Sequence, residues 1–130
     1  MLTADIISYC LYFAIAVVLL LVFTVVYMLI TPYDELDLIR KGKGAACISF
    51  GGTLLGYSLT LGANMIYHVS LSQFAVWGVI AMFVQWVGYW MVARVIGNVK
   101  AHMEHNNVAV AGLIGVVGLV LGVLNVGSLS

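Results

Sequence analysis

The chain has 130 residues, of which 64% are apolar and 8% are charged, and its mean hydropathy is +1.15. A soluble domain carries about 25% charged residues and about half apolar ones, so no water-soluble core holds this much apolar side chain. The formal net charge is zero, which gives nucleic acid no electrostatic attraction. The composition predicts an integral membrane protein whose partner is the lipid bilayer and which binds no nucleic acid.

Four windows are long enough to cross a bilayer, which takes about 20 apolar residues. They cover about residues 6–30, 44–67, 74–95 and 108–129. The first window lacks a basic start and is too long for a secretory signal, so we interpret it as a retained helix. The pattern predicts one all-α membrane domain with four transmembrane helices. Consecutive helices run antiparallel, so Cys10 and Cys47 are expected to be small buried residues too far apart for a disulfide.

The charges predict an orientation. All five basic residues lie in or beside two connections, residues 31–43 and 96–107, whereas both termini and the connection at residues 68–73 carry none. The positive-inside rule counts Lys and Arg in short loops. We therefore expect both connections to be cytoplasmic loops, with both termini outside the cytoplasm.

The second and fourth windows are rich in glycine. Small residues four apart let helix backbones approach closely, so we expect these windows to form the packed centre. The first and third windows would face lipid or neighbouring copies in a homo-oligomer. The glycines with this spacing are Gly52 and Gly56 in the second window and Gly118 and Gly122 in the fourth.

A faint internal repeat accompanies this pattern. Sliding the chain by 64 residues sets Gly51 over Gly115 and Ser8 over Ser72. The repeat favours two tandem helical hairpins related by a parallel duplication, with an axis along the membrane normal.

Polar residues inside the windows allow two interpretations. They line a pathway through the membrane, or they form interhelical hydrogen bonds, which is the commoner role of such residues at packing surfaces. No charged residue lies deep in a window, which argues against a pump built on an intramembrane carboxylate. The polar residues are Ser49, Thr53, Thr60 and Asn64 along one side of the second helix, Gln85 in the third and Asn125 in the fourth.

The sequence offers little for catalysis or metal binding. His102 and His105 flank Glu104 at helical spacing, but a solvated loop is the simpler interpretation because only two strong metal ligands are visible. The chain carries no phosphate-binding loop, nucleophile elbow or zinc-hydrolase motif. The sequence predicts no metal, no cofactor, no catalytic residue and no enzyme activity.

The connection at residues 31–43 is the densest in charge. Thr31 followed by Pro32 favours a helix start, with acids in the first turn and basic residues toward the end. We expect a short amphipathic helix at the inner membrane surface. Its apolar side would hold Leu36 and Ile39, with Tyr33 or Leu38. The candidates for contact with a peripheral cytoplasmic protein are Asp34, Glu35 and Arg40.

A family resemblance rests on TPYDELDLIRKGKGAA, then FGGTLLGYSLTL, VSLSQFAVWG, Gln85 and GVLNVG. Together these stretches resemble a small bacterial inner-membrane family of the YjfL type, catalogued as domain of unknown function 350. The resemblance covers nearly the whole chain and implies a four-span inner-membrane protein, with no particular activity. The chain departs from the pattern at Lys43, where Asn is common, and at Thr60, where proline is common, and Thr60 implies a straighter second helix.

Two functional hypotheses follow. The first is a non-enzymatic envelope or accessory subunit that acts through self-assembly or through a partner. The alternative is a small oligomeric channel or transporter whose pathway uses the polar residues of the windows.

Overall fold

A computed structural model describes residues 2–67 and 70–129. Four helices are long and apolar enough to cross a membrane, so the prediction of an all-α chain with four transmembrane helices is confirmed. The first begins at Leu2 rather than near residue 6, and the third begins at Leu71 rather than near residue 74. Part of the connection expected at residues 68–73 lies outside the described residues. In chain order the helices are α1 (Leu2–Ile30), α2 (Glu35–Arg40), α3 (Gly44–Tyr67), α4 (Leu71–Ile96), α5 (Val99–Glu104) and α6 (Val108–Leu129).

The closest packing joins α3 and α6. A Cβ atom added to Gly52 would lie 2.5 Å from the Cα of Gly115, and one added to Gly122 would overlap the backbone of Gly56. Since a carbon atom does not fit at such distances, the two backbones touch only because these positions are glycine. The residue numbers of the contacts rise together, so α3 and α6 run in the same direction.

Helices α1 and α4 pack against this pair through aromatic rings. The Tyr57 hydroxyl of α3 donates to the Gly78 carbonyl of α4 at 2.9 Å. The Phe23 ring of α1 lies 4.4 Å from the Tyr57 ring and 6.2 Å from the Trp86 ring of α4, between ring centroids. Only Leu19 and two aromatic residues of α1 are buried. A narrow strip of α1 therefore holds it to the bundle, and the rest of its described surface faces outward.

Helices α2 and α5 lie at one end of the bundle, which we call the charged end. The backbone N–H of Ala45, in the first turn of α3, donates to the Asn106 side-chain oxygen just before α6 at 2.8 Å. Asn106 adopts a φ of 56°, in the left-handed region that Asn tolerates better than most residues. The sequence did not predict α5, which is held to the bundle by buried Val99 and Met103.

Two expectations about individual residues are wrong. Cys10 and Cys47 are both exposed rather than buried, because a surface that faces lipid accepts a small apolar residue as readily as a core does. Helix α2 begins at Glu35 rather than at Thr31, because the Asp34 carboxylate accepts the Asp37 N–H at 3.2 Å and caps the helix there.

Gly122→Ala should loosen the bundle. The added methyl group meets the backbone of Gly56, which moves only if α3 and α6 separate. We expect the free energy of unfolding in detergent micelles, measured by denaturant titration, to fall by about 1–3 kcal/mol, the usual cost of overpacking. Gly62→Ala is the matched control, because its added methyl group meets nothing within 4 Å. Equal stability of the two variants would contradict the α3–α6 contact.

Candidate functional site

The inner polar residues of α3 and α4 form hydrogen bonds to backbone carbonyls. The Thr60 hydroxyl lies 3.1 Å from the carbonyls of both Gly56 and Gly122, so it bridges α3 and α6. The Asn64 side-chain amide donates to the Phe74 carbonyl of α4 at 2.8 Å. These side chains join the helices to one another, which is the packing role that the sequence left open.

The remaining members of the polar set lie along the same seam. The Thr53 hydroxyl donates to the Ser49 carbonyl at 2.9 Å, and the Gln85 side-chain amide donates to the Gly118 carbonyl of α6 at 3.2 Å. A cavity of about 10 Å³ beside Gln85 and Thr53 has room for about one water. Three buried atoms of this set have no hydrogen-bond partner among the described residues. They are Asn64 Oδ1, Gln85 Oε1 and Asn125 Nδ2.

An unpaired polar cluster lies at the charged end. Glu35 is 1% exposed, and its charge acts on three phenols, those of Tyr27 at the end of α1, Tyr33 before α2 and Tyr89 in α4. In the described part of the chain, neither carboxyl oxygen and none of the three phenol oxygens has a hydrogen-bond partner. Buried polar groups in native proteins are nearly always paired. This group, which we call the Glu35 cluster, is therefore the strongest candidate for a functional site.

The start of α2 determines which of its side chains are buried. With Asp34 as the cap, Glu35 and Leu38 lie one turn apart on the side that faces the bundle, whereas Leu36 is 44% exposed. Leu36, which we expected on the apolar side of a helix at the membrane surface, therefore lies on the side of α2 that faces away from the bundle. The expectation that Glu35 contacts a partner is wrong, because its side chain is buried. Asp34 and Arg40 are exposed.

Burial controls the charge of Glu35. It raises the pKa of the Glu35 carboxyl from the ordinary 4.5 to about 8, with Thr31 opposing the shift and the negative charge of Asp34 adding to it. The Thr31 hydroxyl also lies within hydrogen-bond distance of the carbonyls of Met28 and Tyr33, at 3.1 Å and 3.3 Å. Burial also raises the pKa of the Tyr33 phenol above its usual range. Near pH 7 the Glu35 carboxyl is mostly protonated, so it can donate a hydrogen bond as well as accept one.

A cleft of about 790 Å³ connects this cluster to the surface of the charged end. Glu35 and Tyr33 lie at its wall, so a proton can reach the carboxyl from solvent without crossing the bundle. The cleft carries charges of both signs. Its other charged residues are Asp34, Asp37, Lys41, Lys43, Lys100 and Glu104.

The two histidines of the second connection have local partners. His102 Nδ1 lies 3.0 Å from the Asn107 side-chain nitrogen, and His105 Nδ1 lies 2.8 Å from the Ala101 carbonyl oxygen. Within residues 2–67 and 70–129, no three His, Cys, Asp or Glu side chains are grouped closely enough to hold a metal ion.

Sequence reasoning missed the Glu35 cluster because its members come from separate segments. Tyr27 and Tyr89 lie in transmembrane helices, where an aromatic residue ordinarily signals packing or an interfacial anchor. The one signal available was the placement of Tyr33 and Glu35 in TPYDELDLIRKGKGAA, one of the stretches that carry the family resemblance.

Comparison with known proteins agrees with that resemblance. Residues 1–129 match the family model described as Domain of Unknown Function (DUF350). The UPF0719 inner membrane protein YjfL of Escherichia coli strain K12 is 31% identical over 121 residues, which are 93% of this chain and 92% of that protein. The UPF0719 transmembrane protein YshE of Bacillus subtilis strain 168 is 29% identical over 96 residues, 74% of this chain and 72% of that protein. No solved structure matches the chain.

Glu35→Gln should remove a pH dependence of stability. Because the pKa of Glu35 is about 8 in the folded chain and 4.5 in an exposed carboxyl, the folded state holds the proton more tightly. The contribution of the protonated Glu35 carboxyl to the free energy of unfolding is full below about pH 4.5 and is lost as the pH rises through about 8. We expect the melting temperature of the wild type in detergent to fall across this range, and that of Glu35→Gln to fall much less.

Glu104→Gln is the matched control, since Glu104 is exposed at the same end of the bundle. This variant should keep the wild-type fall in melting temperature. A wild-type melting temperature that does not change between about pH 5 and pH 9 would contradict a buried neutral carboxyl.

Proposed function

Because this chain belongs to the DUF350 family and is a multi-pass inner-membrane protein, we propose that it is a non-enzymatic subunit that binds a peripheral protein through its charged end. One observation carries the proposal: three polar side chains inside the bundle, those of Thr60, Asn64 and Gln85, bond to backbone carbonyls of neighbouring helices, as packing contacts do. Apart from Asp5, the exposed charged residues lie elsewhere, at one end of the molecule. Since all five basic residues lie at or near that end, we infer that it faces the cytoplasm.

The outward side of α2 is the surface that we assign to the partner. Leu36 and Arg40 are one turn apart and both exposed, and the exposed Asp34 lies beside them. An apolar residue flanked by opposite charges fits the apolar centre and polar rim of a protein interface. Glu35 and Leu38 hold the opposite side of α2 against the bundle, so a partner would meet a helix already ordered.

We also propose that copies of the chain associate in the membrane. Helix α1 has 29 residues, and its buried residues are Leu19, Phe23 and Tyr27. The outer face of α1 is therefore available to a second copy. The stoichiometry after gentle extraction in detergent measures this directly.

Transport is the second candidate function. It is favoured by the unpaired buried oxygens of Glu35, Gln85 and Asn64, which lie at increasing distance from the charged end. Four helices alone enclose little space, so a pathway along these residues would need an oligomer.

Liposome flux separates the two candidates. We expect the purified wild type to carry protons, Na⁺ and K⁺ no faster than empty liposomes, because Thr60, Asn64 and Gln85 form interhelical hydrogen bonds. Asn64→Leu, which removes the bond to the Phe74 carbonyl, should be equally inactive. Wild-type flux that Asn64→Leu reduces would replace the subunit proposal with the transport one, provided that the circular dichroism of the variant shows an intact fold.

Asp34→Asn combined with Arg40→Gln should release the partner. Asn keeps an oxygen that caps α2, so the variant loses charge while the helix stays capped. We expect the partner's recovery after mild extraction, measured by quantitative mass spectrometry, to fall about five- to tenfold.

Asp5→Asn is the matched control, because Asp5 is exposed and lies in the first turn of α1, away from the charged end. It should leave the recovered complex unchanged. Normal complexes from the Asp34 and Arg40 variant would show that the charges of this connection serve orientation alone.

A further inference from the structure

A basic pocket lies where α4 ends and the chain turns into α5. Its volume is about 320 Å³, and none of its described lining residues is acidic. Two residues with positive φ, Gly97 at 70° and Asn98 at 51°, make the turn that forms one wall. The lining residues are Pro32, Trp90, Ala93, Arg94, Asn98, Val99 and Lys100.

The polar groups of this pocket are free to bind a ligand. Neither Arg94 nor Lys100 forms an ion pair with an acid in the described part of the chain, where the Lys41–Asp37 pair is found instead. The Arg94 guanidinium carbon lies 4.9 Å from the centroid of the Trp90 ring, a cation–π contact that orients the guanidinium and leaves its N–H groups available. The Asn98 side chain makes no capping bond to α5.

A separate apolar groove lies along α4, from near the middle of that helix to the turn before Arg94. Its volume is about 460 Å³. One face of α4 carries both Arg94 and part of the groove, since these residues follow one another at separations of three or four: Ile80, Val84, Val87, Met91 and Arg94. The groove is lined by Ile80, Phe83, Val84, Val87, Gly88 and Met91 of α4 and by Leu121 of α6.

We propose that this face of α4 binds one anionic phospholipid. The phosphate group lies between Arg94 and Lys100, with Trp90 at the level of the glycerol, and one acyl chain runs along the groove. Charge complementarity argues for a lipid rather than for a second copy of the chain. A pocket with two basic groups at the membrane boundary attracts anionic headgroups, and a copy would have to supply an acid at this depth.

Depth is the second argument for a lipid. The groove residues lie nearer the middle of the membrane-spanning helix α4 than the basic pocket does. That order, charge toward the helix end and hydrocarbon toward its middle, is the order of the parts of a phospholipid. The inference does not depend on the proposed function, or on which side of the membrane the charged end faces.

Native mass spectrometry of the detergent-extracted chain tests the proposal. The probes are phosphatidylglycerol and phosphatidylcholine with identical acyl chains. The wild type should retain one phosphatidylglycerol in preference to phosphatidylcholine, and the preference should weaken as salt is added. Arg94→Gln combined with Lys100→Gln should reduce the preference roughly tenfold.

Two controls keep the test specific. Lys41→Gln combined with Lys43→Gln makes the same change in net charge at the other connection and should leave the preference intact. Arg94→Lys combined with Lys100→Arg keeps both charges and should retain most of it, even if the neutral variant folds poorly.

Three results would overturn the proposal. One is equal retention of the two lipids by the wild type. Another is displacement of phosphatidylglycerol by millimolar inorganic phosphate, which would make the pocket a site for soluble anions. The third is a Val87→Trp variant that fills the groove, breaks up an oligomer and leaves lipid retention unchanged, which would assign the groove to a second copy.

Discussion

The rest of the structure depends on the approach of the α3 and α6 backbones. Helices in a bilayer gain nothing by burying apolar side chains from lipid, so close packing and hydrogen bonds must hold them together. Gly52 and Gly56 bring α6 near enough for the Thr60 hydroxyl of α3 to reach the Gly122 carbonyl. Larger residues at the glycine positions would separate the helices and leave that hydroxyl in an apolar medium. The glycines and the polar residues of α3 therefore act together to hold α3 against α6.

The same contact organises the charged end. Because α3 and α6 begin side by side, the Ala45–Asn106 hydrogen bond can join their two connections, and α2 gains a surface against which Glu35 and Leu38 are buried. Orientation in the membrane requires exposed Lys and Arg, but it does not require a buried acid. Burial of Glu35 opposes folding whenever the carboxyl is ionised, so membrane topology alone does not account for this residue.

The sequence predicts the parts of this fold that repeat at a fixed spacing. The four spans follow from uninterrupted apolar runs, and the central pair follows from glycines four residues apart, since spacing alone decides which helix face they occupy. The Glu35 cluster depends instead on where α2 starts. Asp34 rather than Thr31 caps α2, and Glu35 rather than Leu36 lies on its buried side. The partners of Glu35 come from α1 and α4, so no local pattern brings them together. The cytoplasmic orientation and the internal duplication stay predictions.

The charged residues are of two kinds, those exposed to solvent and those held by particular neighbouring side chains. Lys41 and Asp37 form an ion pair 2.9 Å apart with both side chains largely exposed, and such pairs contribute little to stability. They fulfil the requirement for charge outside the hydrocarbon, and many other residues at those positions would do so equally well. Among the described residues Glu35 has no counter-ion, and Arg94 lies over an aromatic ring beside a second cation. The arrangements around Glu35 and Arg94 need particular neighbours. Binding at this end should therefore involve Glu35 and Arg94 rather than the charges that only orient the chain in the membrane.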